Sequence, residues 1–286
     1  MASEAMRYSS TTTVFPGERS PILHFALLYE QVIGNAHYLL VAGSGRILGT
    51  IFKVFVKSRN DYAHPHIDCP PEIASGNLRL LEFTDHHTAV GFTDTHVYEL
   101  IIDESLPDIH FRPLSDLSMM LTPANQVIVS CLRIGSSSTR VLIADAQRHH
   151  TLVDIVDKTN EVTVKHGEFD PPTELFRHLG WYGGAPLFLS CAPPDPAVIL
   201  HIWDYAKKKL EQIDNFGETA RCGPYLAPFT ILGGRVIYLS IAGEHDEAEE
   251  FDLVTGQWSP FQLRCGERRI GALKEIGAGE VLVLTS

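Results

Sequence analysis

Apolar residues along this chain come in short runs of four to eight, separated by Gly, Pro, Asp, Asn and Ser. HYLLVAG (37–43), QVIVSCL (126–132), RVLIAD (140–145), PLFLSCA (186–192), AVILHIWD (197–204), RVIYLSIAG (235–243) and EVLVLTS (280–286) are examples. Runs of this length, rich in Val, Ile, Leu, Tyr and Phe, predict strands rather than helices. The best helical candidate is PTELFRHLGW (172–181), which places Leu175, Phe176 and Leu179 on one face and stops before Gly183–Gly184.

The runs repeat. Segments 88–114, 126–156, 186–214 and 235–263 lie over one another as strand, polar turn, strand ending in Asp, tight turn, strand. A further apolar segment precedes most of them, as in LRLLEF (78–83) and LAPFTILG (226–233). Four strands per unit of about 40–60 residues is the pattern of a β-propeller blade. The aspartates of this overlay are Asp103, Asp145, Asp204 and Asp252. A carboxylate there accepts hydrogen bonds from the backbone N–H groups of the following turn, which gives it a structural task. Residues 26–58 read as a first unit, and 270–286 as the first two strands of a last one. The expectation is therefore an all-β single domain over 1–286, a propeller of about six four-stranded blades, with five or seven as alternatives. Strands from both termini close the ring. The segment 1–20, containing the Thr-rich stretch 8–15, is the candidate for the closing strand.

Two units carry family features. AVILHIWDYAKKKLEQI (197–213), with Trp203–Asp204, resembles the end of a WD40 repeat, and AEEFDLVTGQWSP (248–260), with Trp258 after a Thr-Gly turn, resembles the kelch pattern. The likeness implies the propeller fold and, more often than catalysis, protein interaction. The same fold hosts both.

Composition narrows the partners. The chain has 286 residues, 44% hydrophobic and 20% charged, with a net charge of -12. Such acidity suits neither a phosphate backbone nor nucleic acid generally, because that affinity rests on Lys and Arg displacing counterions. Lys207–Lys208–Lys209, the one compact basic run, reads as a solvated strand end. No apolar stretch reaches the ~18 residues of a membrane-spanning helix, and the polar N-terminus has no signal-like core. The five cysteines are scattered and form no CxxC pair, which argues against a disulfide framework or a thiolate zinc site. Cys131 and Cys191 sit in apolar runs and read as core thiols. These features suit a cytoplasmic protein without cofactor.

Candidate chemistry is sparse. Gly43-Ser-Gly45-Arg-Ile-Leu-Gly49 looks like a dinucleotide fingerprint, but an alternating strand follows where a helix N-terminus is needed, so a hairpin is the better reading. The fourteen histidines include the pairs His86/His87 and His149/His150, whose members point to opposite faces of a strand. His64 and His66 with Asp68 are the best metal candidate, against the plainer reading of loop residues. GEHDEAEE (243–250) reads as one solvated acidic loop, and as a carboxylate pair only if one member is buried. Residues 163–185 form the longest departure from the repeat and hold Phe169, Phe176, Arg177, His178, Trp181 and Tyr182. Read as an insertion, they are a binding surface, since Trp, Tyr and Arg are enriched in hot spots. Read plainly, Trp181 and Tyr182 pack between blades. The leading expectation is a non-catalytic scaffold that presents Trp181, Tyr182, Arg177, His178 and Phe169 to a protein partner. The alternative is an enzyme or small-molecule binder using a central funnel, whose loop-built site leaves no linear motif. A single carbohydrate site is the third reading.

Overall fold

A computed structural model describes residues 29–285 except 35–36, 46–48, 57, 59–60, 64–66, 75–77, 104–107, 122–125, 192–197, 215, 217–228, 233, 241–246, 262–269 and 278–279. The proposed closing strand within 1–20 lies outside the described residues, as do His64 and His66.

The described chain is a series of antiparallel meanders. Sheet A holds β1 (Tyr29–Gly34), β2 (Tyr38–Gly45), β3 (Gly49–Val56) and β4 (Asp61–Ala63). Sheet B holds β5 (Ile67–Asp68), β6 (Arg79–Phe83), β7 (Thr88–Phe92), β8 (His96–Ile102) and β9 (Ile109–Asp116), with β5 parallel on the outer edge of β9. A four-residue helix, α1 (Pro71–Ala74), precedes β6. Sheet C is β10 (Val127–Arg133), β11 (Ser138–Ala144), β12 (His150–Val156) and β13 (Val162–Phe169). Sheet D is β14 (Leu175–Tyr182), β15 (Ala185–Cys191), β16 (Val198–Asp204) and β17 (Lys209–Gln212). Sheet E is β18 (Phe229–Leu232), β19 (Arg235–Ser240), β20 (Glu247–Asp252) and β21 (Gln257–Phe261). Sheet F is the pair β22 (Ile270–Gly277) and β23 (Glu280–Thr285). First strands neighbour one another: β14 lies against β10 and β18, and β22 against β18 and β1.

The core sits between sheets. Tyr38, Leu40 and Val54 of sheet A pack with Leu80, Tyr98 and Leu100 of sheet B. Val90, Phe92 and Val97 of sheet B meet Ile128, Val141 and Ile155 of sheet C. Leu142 and Leu152 of sheet C meet Phe188 and Trp203 of sheet D, whose other face presents Leu187, Leu189 and Leu200 to Val236 and Phe251 of sheet E. All seven residues of β15 are buried. An inner sheet covered on both faces needs apolar side chains at successive positions, hence the unbroken runs.

The structure revises three sequence expectations. The helical candidate 172–181 is β14, because its residues must alternate between two covered faces and its partner β15 supplies the ladder. Residues 163–185 are no insertion: they are the last strand of sheet C and the first of sheet D. The acidic segment is not one loop, since Glu247–Asp252 is β20, and Arg235 donates to both carboxylate oxygens of Glu250 at 3.1 Å. The glycine-rich stretch is the expected hairpin, with Gly45 opposite Gly49.

The repeat is confirmed but one unit is out of phase. Asp204 and Asp252 follow the third strand and accept turn N–H groups at 2.8–3.0 Å. Asp145 does the same for His149, but after the second strand. The positional counterpart in sheet C is Asp157, after β12. It is buried and binds Arg133 Nη1 at 2.6 Å and Thr139 Oγ1 at 3.0 Å.

Candidate functional site

The richest chemistry among the described residues lies where sheet C faces sheet D, and strand register explains why. Directly paired residues share a face. On sheet D this assigns Phe176 and Ser190 to one row and His178, Phe188 and His201 to the next, and Trp203, two residues beyond His201 along β16, lies on the same face. A bulge between His178 and Gly180 puts one extra residue into β14 and turns Trp181 back to the sheet C side. On sheet C the facing rows are Ala144–His150–Phe169, Ser130–Leu142–Leu152–Gly167 and Leu132–Arg140–Asp154.

The lowest row is an ion network. Arg140 donates through Nε and Nη2 to the two oxygens of Asp154, at 2.6 and 2.9 Å. Its Nη1 reaches across to the Gly184 carbonyl at 2.9 Å and the Tyr205 hydroxyl at 2.8 Å. His166 Nε2 lies 2.8 Å from Asp154. Burial works to raise the Asp154 carboxyl, but hydrogen bonds from Arg140 and His166 outweigh it and hold it below the usual carboxylate range. The Asp154 hydrogen bond in turn raises the Arg140 guanidinium. Arg140 bonds both within sheet C and across to sheet D, so it clamps C to D.

The middle row is packing. Trp203 is 1% exposed and lies on Gly167, where an added Cβ would come within 2.5 Å of its ring. Trp181 Nε1 donates to Ser130 Oγ at 2.9 Å.

The upper row holds three histidines in an aromatic setting. His150 stacks on Phe169 at 5.0 Å, and His178 meets Trp181 and Phe188 edge-on at 5.5 Å. His201 Nε2 and Ser190 Oγ share a hydrogen bond of 2.7 Å, buried and closed to solvent. That pair satisfies itself and is not an accessible nucleophile. Burial pushes all three imidazoles down, His178 to about 3 with His150 adding to the effect. His178 is therefore neutral near pH 7. It hydrogen-bonds the backbone at Gly180, while its Nε2 is buried with no hydrogen-bond partner. Nδ1 then carries the proton, and Nε2 is left as a buried acceptor.

The site residues expected from the sequence fall on two faces. Phe169, His178 and Trp181 come together between C and D. Tyr182 packs on the opposite side with Leu187, Ile231 and Val236, and Arg177 alternates away from His178 along β14. Of the metal candidate, only Asp68 belongs to a described element, β5. No group of three metal-ligating side chains forms among the described residues. Of the His149/His150 pair, His149 turns outward to Asp170 at 2.8 Å and His150 inward. Sequence reading passed over Arg140, Asp154, Ser190 and His201. Their signal was a polar residue inside an apolar run, as in TLVDIV, PLFLSCA and AVILHIWD. No described helix is long and apolar enough to cross a membrane.

No protein-family model and no curated protein sequence matches this chain. Solved structures do. The SapL1 lectin in complex with α-methyl fucoside is 13% identical, with a TM-score of 0.49 over 89% of this chain and 87% of that one. The β-propeller domain of the Trilobed protease from Pyrococcus furiosus is 12% identical, with a TM-score of 0.47 over 91% and 79%. An exo-β-1,3-galactanase from Phanerochaete chrysosporium is 10% identical, with a TM-score of 0.48 over 89% and 66%. The likeness is one of fold alone, and the sheets it concerns are the four-stranded antiparallel meanders described above. The leading expectation of a non-catalytic scaffold is corrected here. The supposed protruding hot spot is interior strand, with Trp181 and Tyr182 packed between sheets.

Proposed function

We propose that this chain is a six-bladed propeller that binds a small molecule at its axial channel, along β14. Succession of the first strands, β1 beside β6, β10 beside β14, β14 beside β18, β18 beside β22 and β22 beside β1, with sheets B and C meeting through β7 and β10, supports a closed ring of six. Sheet F has two described strands against four in sheets A, C, D and E, and the N-terminal residues are the candidate to complete it. A first strand has one edge paired and the other turned to the axis, where its free N–H and C=O groups need water or a ligand.

One observation carries the reading. Every residue of β14, Leu175 to Tyr182, is half-buried, while its paired neighbour β15 is buried throughout. Solvent therefore reaches the strand that bears Trp181 along its full length. Trp181 is the proposed contact, with Phe169 behind it as packing, while Nε2 of His178 is enclosed. A concave apolar wall with a few placed polar groups is the usual make-up of a small-molecule site.

The test is a thermal-shift screen of the purified protein against a broad metabolite library, joined to native mass spectrometry of the protein as isolated. The expected result is a saturable stabiliser whose effect is lost in Trp181→Ala. If no small molecule binds in either assay, the reading falls.

A further inference from the structure

On sheet B, at a place separate from β14, we propose that Thr95, His96 and Asp116 form a hydroxyl–imidazole–carboxylate triad that takes the acyl group of an activated carboxylic ester. Strand register brings the groups together. His96 opens β8 and pairs directly with Asp116, the last residue of β9, so their side chains share a face. His96 Nε2 lies 3.2 Å from Asp116 Oδ1, and its Nδ1 lies 2.8 Å from Thr95 Oγ1. An ionised carboxylate only accepts, so the imidazole proton sits on Nε2 and Nδ1 is left to accept from the hydroxyl. That is the polarity of a base facing its nucleophile, with a third group behind to orient it. Hydrogen bonds from the Ser118 hydroxyl and backbone N–H hold the Asp116 carboxyl below the usual carboxylate range, with His96 adding to the effect.

The constellation is held in place and open to solvent. The Tyr98 ring, itself 1% exposed, stacks on the His96 imidazole at 5.9 Å. Leu117 N–H donates to the Thr95 carbonyl at 2.8 Å and ties the β7–β8 turn to the end of β9. The turn itself closes through Thr93 Oγ1, which accepts from His96 N–H at 3.1 Å, so it does not need the Thr95 hydroxyl. The His96 side chain is 21% exposed and that of Asp116 53%, unlike the enclosed Ser190–His201 pair. In the proposed reaction Thr95 Oγ1 attacks the ester carbonyl carbon while its proton passes to His96 Nδ1, and Asp116 stabilises the imidazolium. The adduct collapses, the bond to the alcohol oxygen breaks, and the alcohol leaves with the proton from His96. Water then attacks the Thr95 ester by the same route and releases the carboxylic acid.

The experiment mixes the full chain with p-nitrophenyl acetate at neutral pH, follows nitrophenolate release, and quenches samples in acid for peptide mapping by tandem mass spectrometry. The expected result is an acetyl group on the Thr95 side chain of the unaltered protein, a reading that needs no variant. A positioned general base contributes about 10²–10⁴-fold, so His96→Gln should slow labelling of Thr95 at least tenfold, and Thr95→Val should remove the matching nitrophenolate release. Asp116 is a positioning residue, and Asp116→Asn should lower kcat with KM unchanged. Melting curves of the three variants confirm that each is folded before its rate is compared. Acetyl groups found only on lysines or on other hydroxyls would overturn the proposal. So would labelling of Thr95 as fast in folded His96→Gln as in the unaltered chain.

Discussion

Buried histidines set the acid response of this protein at the scale of single residues. His178 is held neutral down to about pH 3 in the folded chain, but its ring protonates near 6.5 once unfolded. Below pH 6.5 the unfolded state binds the extra proton, so its stability contribution is complete above that pH and is lost as pH falls toward about 3. The expected loss is about 4 kcal/mol over that span, with His150 acting in the same direction. Urea midpoints taken from pH 7 to pH 4 will show it, and in His178→Phe the slope against pH will flatten. A second residue-scale prediction concerns Gly167. Its position permits Trp203 to lie flat on the backbone, so Gly167→Ala pushes a methyl group into the indole. The expected cost is about 1–3 kcal/mol, read as a lower urea midpoint at unchanged slope.

Sheets, the next scale up, are joined by different means at different heights. Between C and D the upper and middle rows are aromatic packing, and the lower row is the Arg140–Asp154 pair with Tyr205 and the Gly184 carbonyl. Removing one partner of a buried pair leaves the other charge unsatisfied. Arg140→Ala should therefore cost about 3–5 kcal/mol, while Arg140→Met with Asp154→Leu should recover most of it. A double-mutant cycle in urea measures the coupling, and simple additivity would show that the pair is not a clamp. Tyr205→Phe removes the hydroxyl that links Arg140 to Gly184, and about 1 kcal/mol is the expected loss. The turn aspartates act within a sheet: Asp204 and Asp252 each tie two backbone N–H groups, and their exposed carboxylates are held below the usual range first by those bonds.

For the whole molecule the relevant fact is that each core cluster among the described residues is shared by two sheets. The stability of such an array is a sum of neighbour interfaces. Sheet F touches sheet E through β22·β18 and sheet A through β22·β1. Deleting 270–286 should open the proposed ring at both contacts. Calorimetry should then show a lower Tm and a broadened transition, whereas an unchanged sharp transition would mean that the ring does not depend on sheet F.

Much of the fold was legible in the chain because a strand covered on both faces must be apolar at successive positions, and a turn that needs backbone acceptors selects Asp. That logic sufficed for the all-β class, the four-strand unit, the Gly45/Gly49 hairpin and the burial of Cys131 and Cys191. It failed where the decisive partner is distant in sequence. Leu175–Tyr182 has spacing compatible with a helix and became a strand because β15 pairs with it. Asp145 imitated the third-strand aspartate, and only the ladder shows that Asp157 holds that place. Trp181 and His178 stood out by residue type alone. Their surroundings depend on a bulge in β14, on Ser130 fifty-one positions away and on His150 of the neighbouring sheet. Local hydrophobicity and backbone hydrogen bonding are written along the chain, so the residues able to be buried and the places where it must turn could be read there. Which polar groups meet, and which are left without a partner like His178 Nε2, was settled by the register and stacking of strands that no local pattern encodes.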